Sequence, residues 1–90
     1  MDFSKKVILS DDLFVQEIDD EVVMLDMKSE NYYGLDPVGA DIWKFLSEGK
    51  TIGETKDSLM EIYDVDTERL ESDLVAFITE LVENGLAKIA

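Results

Sequence analysis

The chain has 90 residues, enough for one domain, and contains neither cysteine nor histidine. Disulfides, thiolate nucleophiles, Cys-ligated metals and the usual general base near neutral pH are therefore excluded. The formal net charge of -14, from 22 acidic and 8 basic residues, opposes binding to phosphate backbones, so nucleic acid is not an expected partner. The N-terminal apolar run Val7–Leu9 is far short of the h-region of a secretory signal, and no run approaches the roughly 20 apolar residues of a membrane span. We therefore expect a soluble, cytoplasmic domain with no membrane partner.

Three runs rich in β-branched, aromatic and aliphatic residues predict strands. They are Leu13–Ile18, Glu21–Met27 and Asn31–Leu35. The polar turns Asp19-Asp20 and Lys28–Glu30 separate them, and connections this short favour an antiparallel meander. The second run has apolar side chains on both faces, which predicts that it is the central strand.

Helical signals follow the third strand. Asp36 is a suitable N-cap before Pro37, and apolar residues then recur at helical spacing until Gly49. Thr51 and Glu54 form the pattern T-x-x-E, a capping box that begins a second helix. The sequence thus predicts two helices immediately after the strands.

A third and longest helix is predicted from about Thr67 to Asn84. Either Asp64 or Asp66 caps its start, and Gly85 ends it at the usual C-terminal position. No linker or repeat divides the chain, so the three strands and three helices form one α+β domain over residues 1–90.

The third helix carries two apolar stripes, which together span an arc of about 160°. The first contains Leu70, Leu74, Phe77 and Leu81, and the second contains Val75, Ile78 and Val82. Either the two stripes pack on the sheet and on the other helices, or the second stripe lines an open groove. In the groove interpretation the second stripe is partly exposed and the first stripe is buried. Trp43, beside Ile42 and Phe45, is predicted to be a core residue.

Three segments together resemble one known family. They are "YYGLDPVGADIWKFL" at the strand-to-helix junction, "TIGETKDSLMEIYDVD" in the middle, and "LESDLVAFITELVENGLAKI" at the end. Their order is similar to that of the PqqD-like family, the recognition elements for ribosomally made, post-translationally modified peptides. The resemblance extends from about Leu13 to Ile89. It implies a winged helix-turn-helix-like fold, with a three-stranded antiparallel sheet followed by three helices, and no catalysis or cofactor.

The resemblance also implies a binding site. The leader of a precursor peptide adds as an antiparallel strand beside the third strand, and its side chains enter a cleft against the third helix. The implied peptide-binding residues are Asn31, Tyr32, Tyr33, Gly34, Leu35, Glu71, Val75, Ile78 and Val82. Tyr32 and Tyr33 must face opposite sides of the strand, and the sequence leaves open which one faces the groove. Asp73 matches a recurrent acidic position and is either a solvated residue or a contact to a basic leader residue.

The expected partners are the leader peptide and a modifying enzyme. This enzyme is either a radical SAM enzyme or a leader peptidase and cyclase of a lasso-peptide pathway. The alternative function for the chain is that of PqqD proper in pyrroloquinoline quinone biosynthesis. The excess of carboxylates predicts basic residues in the leader and binding that weakens with salt. We expect a monomer or weak dimer.

Two other functions compete. A helix-turn-helix DNA-binding regulator is disfavoured because the third helix has only Arg69 among five acidic residues. An enzyme or metal site is disfavoured because the carboxylate pairs Asp11-Asp12, Asp19-Asp20 and Asp64/Asp66 have the character of solvated turns and caps, with no nucleophile and base beside them.

Overall fold

The computed structural model describes residues 1–19 and 21–90 and has eight elements. In chain order they are β1 (Val7–Leu9), β2 (Leu13–Ile18), β3 (Glu21–Asp26), β4 (Asn31–Leu35), α1 (Pro37–Ser47), α2 (Ile52–Ile62), α3 (Thr67–Glu83) and β5 (Ala87–Ile89). Asp20, part of the predicted turn Asp19-Asp20, lies outside the described residues. No helix in the described part of the chain is long and apolar enough to cross a membrane.

The three predicted strands form an antiparallel sheet in the order β2-β3-β4, which confirms β3 as the central strand. A second sheet, in which β1 pairs with β5, was not predicted. Each of its strands has only three residues, too few to show the alternation that identifies a strand in a sequence. The pairing nevertheless places Val7 and Ala87 in the core and joins the two ends of the chain.

The helix starts follow the predicted caps. The Asp36 carboxylate accepts a hydrogen bond from the Gly39 N–H at 2.6 Å. Thr51 and Glu54 exchange both bonds of a capping box, at 2.9 and 3.1 Å. Asp66 caps α3 by accepting from the Glu68 N–H at 3.2 Å. These bonds satisfy amide groups that have no partner within their own helix, so they fix where each helix begins.

One face of α3 forms the centre of the core. Its buried residues are Leu70, Leu74, Ile78 and Leu81. The prediction that Ile78 is partly exposed is wrong, since its exposed fraction is 0%. Phe77, predicted to be buried, is only partly buried. The buried stripe is therefore rotated from the predicted one, toward the side of α3 that α2 occupies.

The ion pair between Lys56 of α2 and Glu71 of α3 locates that side. Its nitrogen and oxygen are 3.0 Å apart. At about 100° per residue, Glu71 lies on the same flank of α3 as Val75 and Val82, whereas Phe77 lies on the opposite flank. With α2 covering the first flank, Ile78 is enclosed and the Phe77 flank is left to face the sheet.

Trp43 of α1 packs against the core, as predicted. It lines a cleft with Leu9 and Leu13 on one side and a cleft with Val15 and Val22 on the other. Its indole nitrogen is buried and has no hydrogen-bond partner in the described part of the chain. Trp43 therefore occupies the place where α1 meets both sheets.

Candidate functional site

A cavity of about 470 Å³ lies between β4 and the C-terminal half of α3. It is lined by Met24, Tyr32, Tyr33, Gly34, Leu35, Asp36, Gly39, Phe77, Glu80, Leu81, Asn84 and Leu86. We refer to it as the β4–α3 groove. One wall is an edge strand and the other is a helix, an arrangement that leaves room for an extended chain along the strand.

The hydrogen-bonding register identifies which backbone groups of β4 face the open edge. The Met27 N–H donates to the Asp12 carbonyl at 2.9 Å, so this pair is hydrogen-bonded and alternate pairs along β2 and β3 are bonded in the same way. The remaining β3 residues then bond β4, through Asn31, Tyr33 and Leu35. Tyr32 and Gly34 are left with their N–H and C=O groups pointing away from the sheet.

The side chains of β4 point alternately toward the helices and toward the outer face of the sheet. Tyr33 pairs with Met24, which is buried, so Tyr33 faces the helices and packs against the core. Tyr32 pairs with Leu25 on the outer face and has 72% of its surface exposed. This answers the question that the sequence left open: Tyr33 faces the inner side of the groove, and Tyr32 stands at its outer rim.

Close approach of α1 to α3 sets the floor of the groove. A Cβ atom at Gly39 would lie 3.1 Å from the Asp36 carboxylate and 3.4 Å from the Phe77 ring. Both distances are at or below ordinary van der Waals contact, so glycine lets α1 pack tightly beside Phe77. Gly34, by contrast, has no atom within 4 Å of such a position and leaves open space at the edge.

The charged side chains that line the groove are both acceptors. Asp36 and Glu80 are carboxylates, Asn84 is an amide, and no Lys or Arg lines the cavity. One oxygen of the Asp36 carboxylate accepts the Gly39 N–H, whereas the Glu80 side chain has no hydrogen bond to any described residue. Within residues 1–19 and 21–90 no three acidic side chains converge as metal ligands would. The groove is apolar at its floor and negative at one end.

The structure brings four of the predicted site residues together. Tyr32, Tyr33, Gly34 and Leu35 all line the groove. Asn31 is exposed at the start of β4 but does not line the cavity. Asp73 lies one turn before Phe77 on the groove flank of α3 and is exposed, so its contact with a basic residue stays a prediction.

The α3 residues predicted to line the site lie elsewhere. Ile78 is enclosed in the core, and Glu71 is paired with Lys56. Val75 is partly buried and Val82 is 38% exposed, both on the α2 flank. The helical surface that faces β4 instead contains Phe77, Glu80 and Asn84. These three residues are spaced by three and four positions, so they form one stripe on the helix that is visible in the sequence. The sequence alone does not indicate whether this stripe or the opposite flank faces the groove; the position of α2 does.

The sheet has a second unusual surface. Its outer face carries a cross-strand row of Phe14, Leu25 and Tyr32, of which Phe14 is 52% exposed. Antiparallel sheets commonly present polar residues on the face away from the core. An apolar row on that face is typical of a surface that contacts another protein.

Comparison with known proteins assigns the chain to a family. The family described as Coenzyme PQQ synthesis protein D (PqqD) matches residues 21–87, so the chain belongs to the PqqD family. The predicted resemblance and the predicted fold class, a three-stranded antiparallel sheet followed by three helices, are both confirmed. No curated protein sequence matches the chain significantly.

Two solved structures are similar over almost the whole chain. One is TbiB1 in complex with the TbiA(beta) leader peptide, with 40% identity, a TM-score of 0.81, and coverage of 90% of this chain and 94% of that chain. The other is lasso peptide synthetase B1 complexed with the leader peptide, with 30% identity, a TM-score of 0.82, and coverage of 92% and 98% respectively. Both relatives were solved with a leader peptide bound.

Proposed function

We propose that this chain is a non-catalytic module that binds the leader of a ribosomally made precursor peptide. The leader adds as an antiparallel strand on β4 and is presented to a modifying enzyme. One observation supports this proposal above all. The backbone N–H and C=O groups of Tyr32 and Gly34 face the open edge of β4, directly beside the groove that contains Phe77. The leader complexes of both similar structures support it.

Strand addition divides recognition into two parts. Backbone hydrogen bonds to Tyr32 and Gly34 provide affinity that does not depend on the leader's side chains. Inward-facing side chains of the added strand recur about every 7 Å, because each residue advances about 3.4 Å and alternate residues face opposite sides. Those side chains enter the groove against Phe77 and Leu81. The groove therefore selects every second residue of the leader.

The lasso-peptide setting is the one we favour. Both similar structures are at least 30% identical to this chain, and one is described as a lasso peptide synthetase B1. The expected partner enzyme is then a leader peptidase, and the apolar outer face around Phe14 offers a surface for it. We propose a cytoplasmic location, because a chain without cysteine suits a reducing compartment.

Amide hydrogen exchange tests the proposal within one molecule. The probe is the leader of the precursor encoded beside this gene, added to the 15N-labelled protein. The Tyr32 and Gly34 amides should exchange rapidly in the free protein and become protected in the complex, because they gain hydrogen-bond partners. The amides of Val15 and Glu17, which face the opposite edge of the same sheet, serve as the internal control and should not change.

Two results would contradict the proposal. One is protection of the β2 amides instead of those on β4, which would move the added strand to the other edge. The second is an absence of binding at protein concentrations of about 100 µM, a level at which weak peptide modules are still detected.

A further inference from the structure

We infer that Glu80 and Asn84 form a subsite for a Lys or Arg side chain of the bound peptide. This inference rests on the proposed function and adds the chemical class of one ligand residue and its position. The subsite lies at the C-terminal end of α3, where Glu80 and Asn84 line the groove between β4 and α3.

Glu80 is the groove carboxylate in which neither oxygen accepts a hydrogen bond from a described residue. Asp36 also lines the groove, but it accepts the Gly39 N–H and so holds the start of α1. Glu80 is exposed and its carboxylate has no hydrogen-bond partner among residues 1–19 and 21–90. A carboxylate in that state can accept several hydrogen bonds from a cationic group.

The end of α3 adds to the negative potential. Its last turn contains no basic residue, although cations are favoured there because the helix dipole leaves partial negative charge on the last carbonyls. Glu80 and Glu83 add two carboxylates to the same end. A cation supplied by a ligand would provide the compensation that the helix itself lacks.

Asn84 contributes a fixed acceptor beside Glu80. Its side-chain NH₂ group donates to the Glu80 carbonyl at 2.7 Å. With one donor used in this way, the amide is held at the helix end and its oxygen remains available as an acceptor. The subsite therefore combines a carboxylate and an amide oxygen.

The groove also accommodates the rest of a long basic side chain. The Phe77 ring and Leu81 form its floor beside Glu80. Lys and Arg bury their aliphatic stems on such surfaces while the charged end reaches an acceptor. No Lys or Arg of this chain lines the cavity, and the ion pair between Lys56 and Glu71 lies on the opposite flank of α3. Charge and shape thus favour the same class of side chain.

A displayed library of random 12-residue peptides tests the subsite without knowledge of the natural leader. The library is selected separately against the unmodified protein, Glu80→Gln and Glu83→Gln. Glu83 is the matched control, because it is an exposed carboxylate in the same part of α3 that does not line the groove. Both variants change the net charge equally.

The expected result is a Lys or Arg at one fixed spacing from the apolar positions of the selected peptides. This preference should be kept with Glu83→Gln and lost with Glu80→Gln. For one selected peptide, Glu80→Gln should weaken binding about tenfold. Replacing the basic residue of that peptide by Gln should cause a similar loss, and the two changes together should cost no more than either alone.

Three results would overturn the inference. If Glu80→Gln selects the same basic position as the unmodified protein, the preference reflects overall charge and not this subsite. If the unmodified protein selects peptides without a fixed basic position, and these still protect the Tyr32 and Gly34 amides, strand addition stands and the cation subsite does not. If no peptide is selected and the natural leader also fails to bind, the proposed function and the subsite fall together.

Discussion

The sheet has two outer strands, and they differ in ways that matter for peptide capture. β2 carries Glu17, a charged side chain on the inner side of its edge. β4 has no charged residue and no proline in its five positions, and it contains Gly34. Charged residues on outer strands prevent unwanted pairing with other chains. β2 is therefore protected, and β4 is open to an added strand.

The clefts behind the two strands differ as well. The cleft beside β2 is lined by Glu17, Asp41 and Lys44, so it contains both signs of charge. Asp41 is moreover occupied, because the Tyr63 hydroxyl donates to it at 2.5 Å. The β4–α3 groove instead has an apolar floor and Glu80, which forms no ion pair with any residue that the structure describes. Under the proposed function, the binding edge is thus defined both by the strand itself and by the surface that lies behind it.

The largest expected effect is on stability, and it tests which flank of α3 faces the groove beside β4. Ile78→Glu should destabilise the protein by more than about 4 kcal/mol, because it places a carboxylate in an enclosed apolar position. Val82→Glu should change stability by less than about 1 kcal/mol, because Val82 lies at the C-terminal end of the same flank and is 38% exposed. Urea unfolding followed by circular dichroism measures both. If Ile78→Glu is stable but no longer binds leader, the groove lies on the flank that the sequence predicted.

The next effect tests the two edges directly. Gly34→Pro removes the N–H that faces the open edge of β4 and should weaken leader binding about 10- to 100-fold, the cost of one lost and one unsatisfied hydrogen bond. The ladder to β3 is kept, because Tyr33 and Leu35 make those bonds. No atom lies near the Gly34 Cβ position, so a side chain fits there in the free protein.

Glu17→Pro is the matched control for that change. It removes the equivalent outward-facing N–H on β2, and the leader dissociation constant should stay within about twofold of the parent value. Fluorescence anisotropy with a labelled leader measures both variants. Equal losses for the two prolines would mean that they act by disturbing the sheet, and the distinction between the edges would fail.

A smaller effect compares the surfaces behind the strands. Phe77 and Val15 are both partly buried residues packed against the core, one behind each edge. Phe77→Ala should weaken leader binding about tenfold, because an aromatic side chain at the centre of an interface typically contributes more than about 1 kcal/mol. Val15→Ala should leave the dissociation constant unchanged. Calorimetric titration of the two folded variants distinguishes them, and equal affinities would exclude Phe77 as a contact.

The smallest effect is a loss of stability at high pH that arises on the β2 side. The hydrogen bond to Asp41 raises the pKa of Tyr63 to about 12, from an ordinary value of 10.0. Because the folded pKa is the higher one, this stabilisation is complete below pH 10 and is lost as the pH rises toward 12. The difference in unfolding free energy between the parent and Tyr63→Phe should therefore shrink over that interval. A constant difference between pH 9 and pH 12 would contradict the assignment.

Local signals predicted most of the fold. The caps at Asp36, Thr51 and Asp66 depend on residues two or three positions away, so the sequence contained all that was needed. The edge residues Tyr32 to Leu35 were also predicted, through the resemblance to a family. β1 and β5 were missed because strands of three residues have no visible period.

The wall of the groove could not be predicted in the same way. Helical spacing identifies the apolar arc of α3 but not which flank another helix will cover. Which flank is covered depends on contacts between distant residues, such as Lys56 with Glu71. As a result Ile78, predicted to be partly exposed, is buried, and Phe77, predicted to be buried, is only partly buried. Tertiary placement, not side-chain type, thus decided which residue became accessible.

Trp43 is the only tryptophan of the chain and lies where α1 meets both sheets, outside the β4–α3 groove. Its fluorescence emission should therefore change when α1 separates from the sheets and remain almost constant when a peptide without tryptophan binds. Trp43 fluorescence thus reports on folding and does not respond to peptide binding. Unfolding curves recorded from this one chromophore at several peptide concentrations would yield the affinity through the shift of their midpoints, with no label on either molecule.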